Sequence, residues 1–337
     1  MPMPYKVDFF DKNFNYQGWS LMADPELVFD YLTLDVSKLT LPNSLPIQRG
    51  WYVHITESGK RKWQGVVTAV SVTEKNTTVS IKPLLSLFDT TVITSKNNNT
   101  SAEQYIADIL TDVFISNTDT AETIPGLEIA VNSNTGNIQL ASEEETQKVY
   151  DVIVLALEKA QIVVTAEFKP MQKKINVNIG KATSDIVKIN ADAPGIIDSS
   201  FSFRDDYGQV NKVIVYNKDK ISQTAIFYAE DYQSPTVRKI TSVSVGDDET
   251  FSEKAKEAAD KELEKKDFDN CIELIFPDGY KLIPEIEIGQ QVEVYHNGIK
   301  YTSFLTGREL SKDGIITLTF GSVRLDLTKI LKLEGSK

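Results

Sequence analysis

The stretch Arg49-Gly50-Trp51-Tyr52-Val53-His54-Ile55, set beside Ile288-Gly289-Gln290-Gln291-Val292-Glu293-Val294, decides the fold. Each opens on a turn glycine and runs on as a short strand of alternating apolar and polar residues, the period of two that marks a half-buried strand. Each is followed by a strand that an aromatic residue leads after a lysine. These are Lys62-Trp63-Gln64-Gly65-Val66-Val67-Thr68 and Lys300-Tyr301-Thr302-Ser303-Phe304-Leu305-Thr306. Gly50 and Trp63 lie 13 residues apart, Gly289 and Tyr301 lie 12 apart. A third strand closes each set, Thr78-Val79-Ser80-Ile81 and Ile315-Ile316-Thr317-Leu318, ending 18 and 17 residues past the aromatic. Antiparallel meanders share part of this grammar in general. The matched spacing and the lysine–aromatic step point to more, two related β-barrels in one chain. Gly50, Trp63, Gly289 and Tyr301 define the repeat.

Around the first copy, residues 1–95 read as a β-barrel. Leu32, Leu34 and Val36 alternate with polar residues, and Leu39 and Leu41 resume the alternation after one extra residue, which predicts a strand bulged at Ser37-Lys38. Pro46, Gly50, Gly59 and Pro83 punctuate the strands as barrel turns do. The polar run Ser95-Lys96-Asn97-Asn98-Asn99 ends this region, and 96–195 reads as an inserted α/β domain with two helices. Thr100 and Glu103 have capping-box spacing ahead of a stripe of Ala102, Tyr105, Ile106, Ile109, Leu110, Val113 and Phe114. A loop rich in Thr, Asn and Gly covers 116–138. A second capping box, Ser142 and Glu145, precedes Val149, Val152, Ile153, Ala156, Leu157 and Ala160, and strands follow at 162–168 and 175–179.

The second copy sits in 196–337, read as the second barrel region with core strands about 236–250 and 285–325. Strands within 196–235 are candidates to complete the first barrel. A helix at 252–267, opening at Ser252, is rich in Lys, Glu and Ala. Leu263 is the one large apolar residue of its stripe, so it reads as a surface insertion. Asn297-Gly298 predicts a type I′ hairpin. The fold class is therefore mainly β with α/β insertions, an α+β chain of two antiparallel β-barrels plus smaller inserted domains.

Composition narrows the function. The 337 residues are 41% hydrophobic and 25% charged, enough for several domains. The formal net charge is −12. Proteins that grip nucleic acid neutralise phosphates with basic surfaces, and anionic membranes also select basic ones, so both roles are disfavoured. No stretch reaches the roughly 20 apolar residues of a membrane span, and the N-terminus has no apolar signal core. Cys271 is the only cysteine, which excludes an internal disulfide and fits synthesis in a reducing cytoplasm.

No catalytic constellation stands out. His54 and His296 are the only histidines, and neither accompanies a nucleophile motif. Walker, dinucleotide-binding, zincin and hydrolase-elbow motifs are missing. Cys271 lies in an apolar strand, and the pairs Asp205-Asp206 and Asp247-Asp248 lack the ligand spacing of a calcium loop. The expectation is a non-enzymatic chain with no catalytic residue, no cofactor and no metal.

Several stretches together resemble a known family. They are Phe29-Asp30-Tyr31-Leu32 with Leu39-Thr40-Leu41-Pro42, Gly50-Trp51-Tyr52-Val53, Gln64-Gly65-Val66-Val67 and Lys82-Pro83-Leu84-Leu85-Ser86-Leu87-Phe88-Asp89. To these add the Lys/Glu/Ala helix, Ile288-Gly289-Gln290-Gln291-Val292-Glu293-Val294 and Gly307-Arg308-Glu309. Their order resembles the tail-tip (baseplate) hub proteins of siphophages and prophages. It is also similar to the trimeric baseplate hub of contractile-tailed phages and to the N-terminal hub region of tail-associated lysins. The resemblance implies tail-tube-type barrels and a homotrimer whose six barrels form a ring at the virion tail tip. Its implied partners are the distal tail protein or tail tube, the tape measure protein and spike or receptor-binding proteins. DNA would transit the ring without specific binding, and no stable membrane insertion is implied. Many relatives carry a cell-wall hydrolase at the C-terminus. This chain ends soon after Arg324-Leu325-Asp326-Leu327, so that part is expected to be absent. A cell-wall-degrading enzyme and a carbohydrate- or receptor-binding module are the competing expectations.

Overall fold

Alternation writes the first barrel. From the N-terminus the chain forms β1 (Tyr5–Phe10), β2 (Tyr16–Met22), β3 (Leu27–Asp30), β4 (Ser37–Pro42), β5 (Tyr52–Glu57), β6 (Lys60–Val72) and β7 (Asn76–Pro83). All but β3 join one antiparallel sheet in the order β2-β1-β5-β6-β7-β4. Every second residue of β4 and β7 faces inward, so Leu39, Leu41, Val79 and Ile81 are fully buried. The outer strands β2 and β4 approach within 8 Å between Cα atoms, so the sheet curls round as a half-barrel. Truncating one such residue, Ile81→Ala for example, costs about 2–5 kcal/mol. The computed structural model describes residues 5–22, 25–42, 45–93, 100–138, 140, 146–183, 185–203, 212–229, 240–246, 251–263 and 270–321.

The predicted bulge at Ser37-Lys38 is not formed: both residues pair regularly with β7, and the slip in the alternation is a turn at 31–36 between two strands. β3 stops at Asp30, whose carboxylate accepts the Leu32 N–H at 2.7 Å, and Leu34 takes a positive φ of 54°. Alternating leucines on either side of a turn imitate one continuous strand. Ser37 starts β4 and ties it to β3, its hydroxyl accepting from Val28 N–H at 2.8 Å.

The α/β insertion comprises β8 (Thr91–Ile93), α1 (Ala102–Phe114), β9 (Leu127–Val131), β10 (Thr146–Lys148), α2 (Val149–Ala160), β11 (Ile162–Lys169) and β12 (Lys174–Lys181). Its sheet runs β11-β12-β9, with β9 parallel to β12. Thus the stretch 116–138, expected as loop, contributes a strand. The capping box at Thr100 and Glu103 is not formed. Ser101 caps α1 by accepting the Gln104 N–H at 3.2 Å, and Glu103 turns inward to accept from the Ser133 hydroxyl and the Thr135 N–H. Ser142 and Glu145 lie outside the described residues, as do both aspartate pairs and Arg324–Leu327. α2 itself begins at Val149, directly after β10 pairs with β8.

The remaining elements are β13 (Val187–Asn190), β14 (Asp198–Phe203), β15 (Lys212–Asn217), β16 (Thr224–Tyr228), β17 (Ile240–Val245), α3 (Phe251–Leu263), β18 (Asn270–Pro277), β19 (Gln291–His296), β20 (Ile299–Leu310) and β21 (Ile315–Phe320). The second large sheet runs β13-β19-β20-β21-β18-β14, and β3 adds to β20 from the other barrel's stretch of chain. Three expected assignments change here. The strands at 212–228 do not complete the first barrel, and 240–245 is not core to the second. They form a separate sheet, β16-β15-β17, under α3. Val213 and Val215 bury fully against Phe251, Ala255 and Ala259, and the two small alanines let the helix lie close on the strands. Finally β13, placed by sequence in the insertion, pairs in parallel with β19 of the second barrel.

Candidate functional site

The two copies of the repeat build the same corner. Gly50 has φ +83° and donates its N–H to Val67 O at 2.8 Å, and Gly289 has φ +78° and donates to Leu305 O at 2.7 Å. The return bonds match as well, Val67 N–H to Trp51 O at 2.8 Å and Leu305 N–H to Gln290 O at 3.1 Å. Positive φ favours glycine because it lacks a Cβ. Register carries the equivalence onward. Trp63 pairs with Ile55 on β5, and Tyr301 pairs with Val294 on β19, each four residues before its strand meets the corner. The turns between these strands, Ser58-Gly59 and Asn297-Gly298, both take positive φ at both positions, as a type I′ hairpin requires.

The spacing difference of one residue has a local cause. The pairing slips between Ile55 and Thr56, which leaves Lys62 as an extra residue in the first copy. β20 shows no slip at the corresponding place. Beyond the corner both long strands bulge at a threonine. Pairing skips Thr68 between Val67↔Ile81 and Ala69↔Ser80, and it skips Thr306 between Leu305↔Phe320 and Gly307↔Thr319. The Thr68 hydroxyl donates to Ser80 O at 3.2 Å, and the Thr306 hydroxyl donates to Thr319 O at 3.1 Å. The third strands therefore match Ile81 to Phe320, two residues further on than the sequence comparison placed them.

The corners differ in what covers them. β3 docks on β20, with Arg308 opposite Phe29, Leu310 opposite Leu27, and Tyr31 N–H donating to Thr306 O at 2.9 Å. Trp63 of the first barrel holds that strand, its indole N–H donating to Val28 O at 3.2 Å. Its counterpart Tyr301 packs on Phe201 of β14 with ring centroids 5.2 Å apart. The insertion is fastened to both barrels. The Gln64 side-chain amide donates to Phe168 O at 2.7 Å and accepts the Phe168 N–H at 3.0 Å, completing a strand-like pair. The buried Tyr31 hydroxyl accepts the Val164 N–H at 2.9 Å, and Tyr150 donates to Tyr31 O. A cavity of about 270 Å³ remains where the barrels and insertion meet, lined in part by Trp63, Leu84, Val164 and Arg308.

His54 and His296 lie far apart in role. His54, half-buried on β5, meets the Gln64 amide at 3.0 Å, and burial pushes its pKa below the ordinary value. His296 stacks on Phe201 with ring centroids 4.6 Å apart and holds Asp192 through Nδ1 at 2.6 Å. Cys271 is buried in β18. Among the described residues no three His, Cys, Asp or Glu side chains converge as metal ligands, and no helix is long and apolar enough to cross a membrane. Sequence reading singled out the four repeat positions but missed Gln64, Tyr31 and the two bulge threonines. An identical threonine closing each aromatic-led strand was the available signal for the last pair.

No family model and no curated protein matches the chain. Solved structures do. A tail protein from Neisseria meningitidis MC58 superposes with a TM-score of 0.58 at 13% identity, covering 95% of this chain and 97% of that one. The 43 kDa tail protein of prophage MuSo2 from Shewanella oneidensis gives 0.58 at 14% identity, covering 94% and 97%. A chain of the Phage P2 baseplate in its activated conformation gives 0.55 at 17% identity, covering 94% and 98%. Over nearly its whole length, the chain has the mainly β fold of these phage tail and baseplate proteins.

Proposed function

We propose that this chain is a structural protein of a phage tail, a hub that assembles as a homotrimer at the tail tip. The twinned corner carries this reading. One chain with two barrels of the same grammar gives a trimer six barrels, so a threefold ring can face a sixfold tail tube. Cyclic symmetry closes such an assembly. The likeness to tail and baseplate proteins supports the location in the virion tail. The distal tail protein or tube, the tape measure protein and the spike or receptor-binding proteins are the proposed partners. The insertion and α3 lie outside the ring. DNA passes through the centre, and the net charge of −12 favours passage over capture because phosphates find few counter-charges.

The chain acts in this reading without catalysis. An electron-microscopy reconstruction of the tail tip is expected to show three copies around an open channel of about 20 Å or more, the width of a DNA duplex, lined by neutral or acidic residues. A closed dimer or a basic, occluded centre would overturn the hub. Hydrolysis of peptidoglycan by purified protein, abolished by a single substitution of His54, His296 or an acidic residue, would overturn the non-enzymatic part.

A further inference from the structure

In the second barrel the outer edge of β20 is occupied, and in the first barrel the same edge of β6 is open among the described residues. The shared bulge at Thr68 and Thr306 sets the equivalence, so Val70 matches Arg308 and Val72 matches Leu310. Leu310 is 9% exposed beneath β3, and Val72 is 65% exposed. Alternation along the strand also fixes the backbone. Thr306 O accepts from Tyr31, and every second residue from there, Arg308 and Leu310, turns its N–H and C=O toward β3. By the same register Val70 and Val72 turn theirs away from β7. Among the described residues no strand pairs with that side.

We infer that the open edge of β6 at Val70 and Val72 is a strand-acceptor site for a second copy of this chain. The deduction rests on the ring proposed above and adds its joint. Within the chain, a strand leaving the first barrel beside Trp63 docks on β20. Between chains, the part of a neighbour's second barrel marked by Tyr301, Phe201 and β14 meets β6. Trp63 and Tyr301 are matched positions; Trp63 holds β3, the strand passed to the other sheet, and Tyr301 packs on Phe201 of β14, the last strand of the second sheet, which among the described residues pairs only with β18. Unpaired edge groups and an exposed valine are what an added strand satisfies and covers. The joint is heterologous, barrel one to barrel two at every step, and such joints close into rings when the rotation allows.

Val72→Pro tests it, because that N–H points away from β7 and its loss leaves the barrel's own ladder intact. The variant is expected to melt like wild type and to dissociate at about tenfold higher concentration in sedimentation equilibrium, the loss of one docked backbone pair. A photo-cross-linking residue placed at Val72 is expected to capture the Phe201 peptide of a second copy, and this arm does not depend on the proline variant folding. Association within twofold of wild type, or capture of any other peptide, overturns the acceptor site while a ring that still forms leaves the hub reading standing. Wild-type protein that stays monomeric at its highest attainable concentration overturns both.

Discussion

The two barrel corners share a backbone and differ in their surroundings. Around Gly50 a Cβ would find open space within 4 Å, whereas at Gly289 it would lie 2.2 Å from Val163 Cγ2 of the insertion. The local sequence writes the turn, the hairpin and the bulge twice. The value of each residue depends on which neighbour lies against it. The sharpest way to break this comparison is to put alanine at both glycines. Gly50→Ala pays only for left-handed backbone, about 1–2 kcal/mol. Gly289→Ala pays that and an overpacking cost of about 1–3 kcal/mol. Urea titrations are expected to show the second variant losing at least twice as much stability, and equal losses would mean that the insertion does not bear on the corner.

The insertion holds the first barrel by a different device. Gln64 supplies both halves of a strand-like pair to Phe168. Gln64→Ala leaves a partly buried N–H and C=O without that partner, a cost of about 1–3 kcal/mol. Hydrogen exchange at the Phe168 amide is expected to quicken in this variant. An unchanged rate would show that the insertion is held by its apolar contacts, such as Phe10 and Tyr52 against Phe168, without help from the amide.

How much of this was legible depended on where the information lies. Alternation and turn residues act within a few positions, so both glycine-led strands, their aromatic followers and the Asn297-Gly298 hairpin could be read directly. The bulge at Thr68 could not, because a skipped residue shows only against its partner strand. Leu32 and Leu34 misled for the same reason, their alternation continuing across a turn that Asp30 closes. The strands at 212–228 have the pattern of any half-buried sheet. Their pairing with β17 and their packing under Ala255 and Ala259 separate them from the first barrel. The fastening residues Gln64 and Tyr31 bond partners at least 100 positions away, and nothing local marks them.

The bulge threonines sharpen the comparison at smaller cost. Thr306 is buried and shares its hydroxyl proton between Thr319 O and Gly321 O, whereas Thr68 is half-buried and bonds Ser80 O. Thr306→Val is expected to lose about 1–2 kcal/mol, since buried carbonyls are left short of a donor. Thr68→Val should lose about half as much, because water reaches the vacated carbonyl. A reversed order in thermal melts would show that the open corner is covered even in the isolated protein.

The smallest expected effect is in the pH dependence, and His54 carries it. Burial disfavours its charged form, Asp8 draws the pKa back up, and Arg61 and Lys6 push it down again, with the net result below the ordinary value of about 6.5. The unfolded chain therefore binds the proton more readily than the folded one. The stabilising contribution of neutral His54 is complete above the unfolded pKa and is lost as pH falls from there through the folded pKa. Because the ring is only half-buried, solvent screening keeps the effect to a fraction of a kcal/mol. Subtracting the stability of His54→Gln from that of wild type at each pH cancels the other titrating groups. The difference should fall as the pH is lowered below about 6.5. A flat difference across that range would mean that the Gln64 contact and the nearby insertion do not desolvate this imidazole in solution. The covered face of the first barrel would then be wetter than its matched corner in the second.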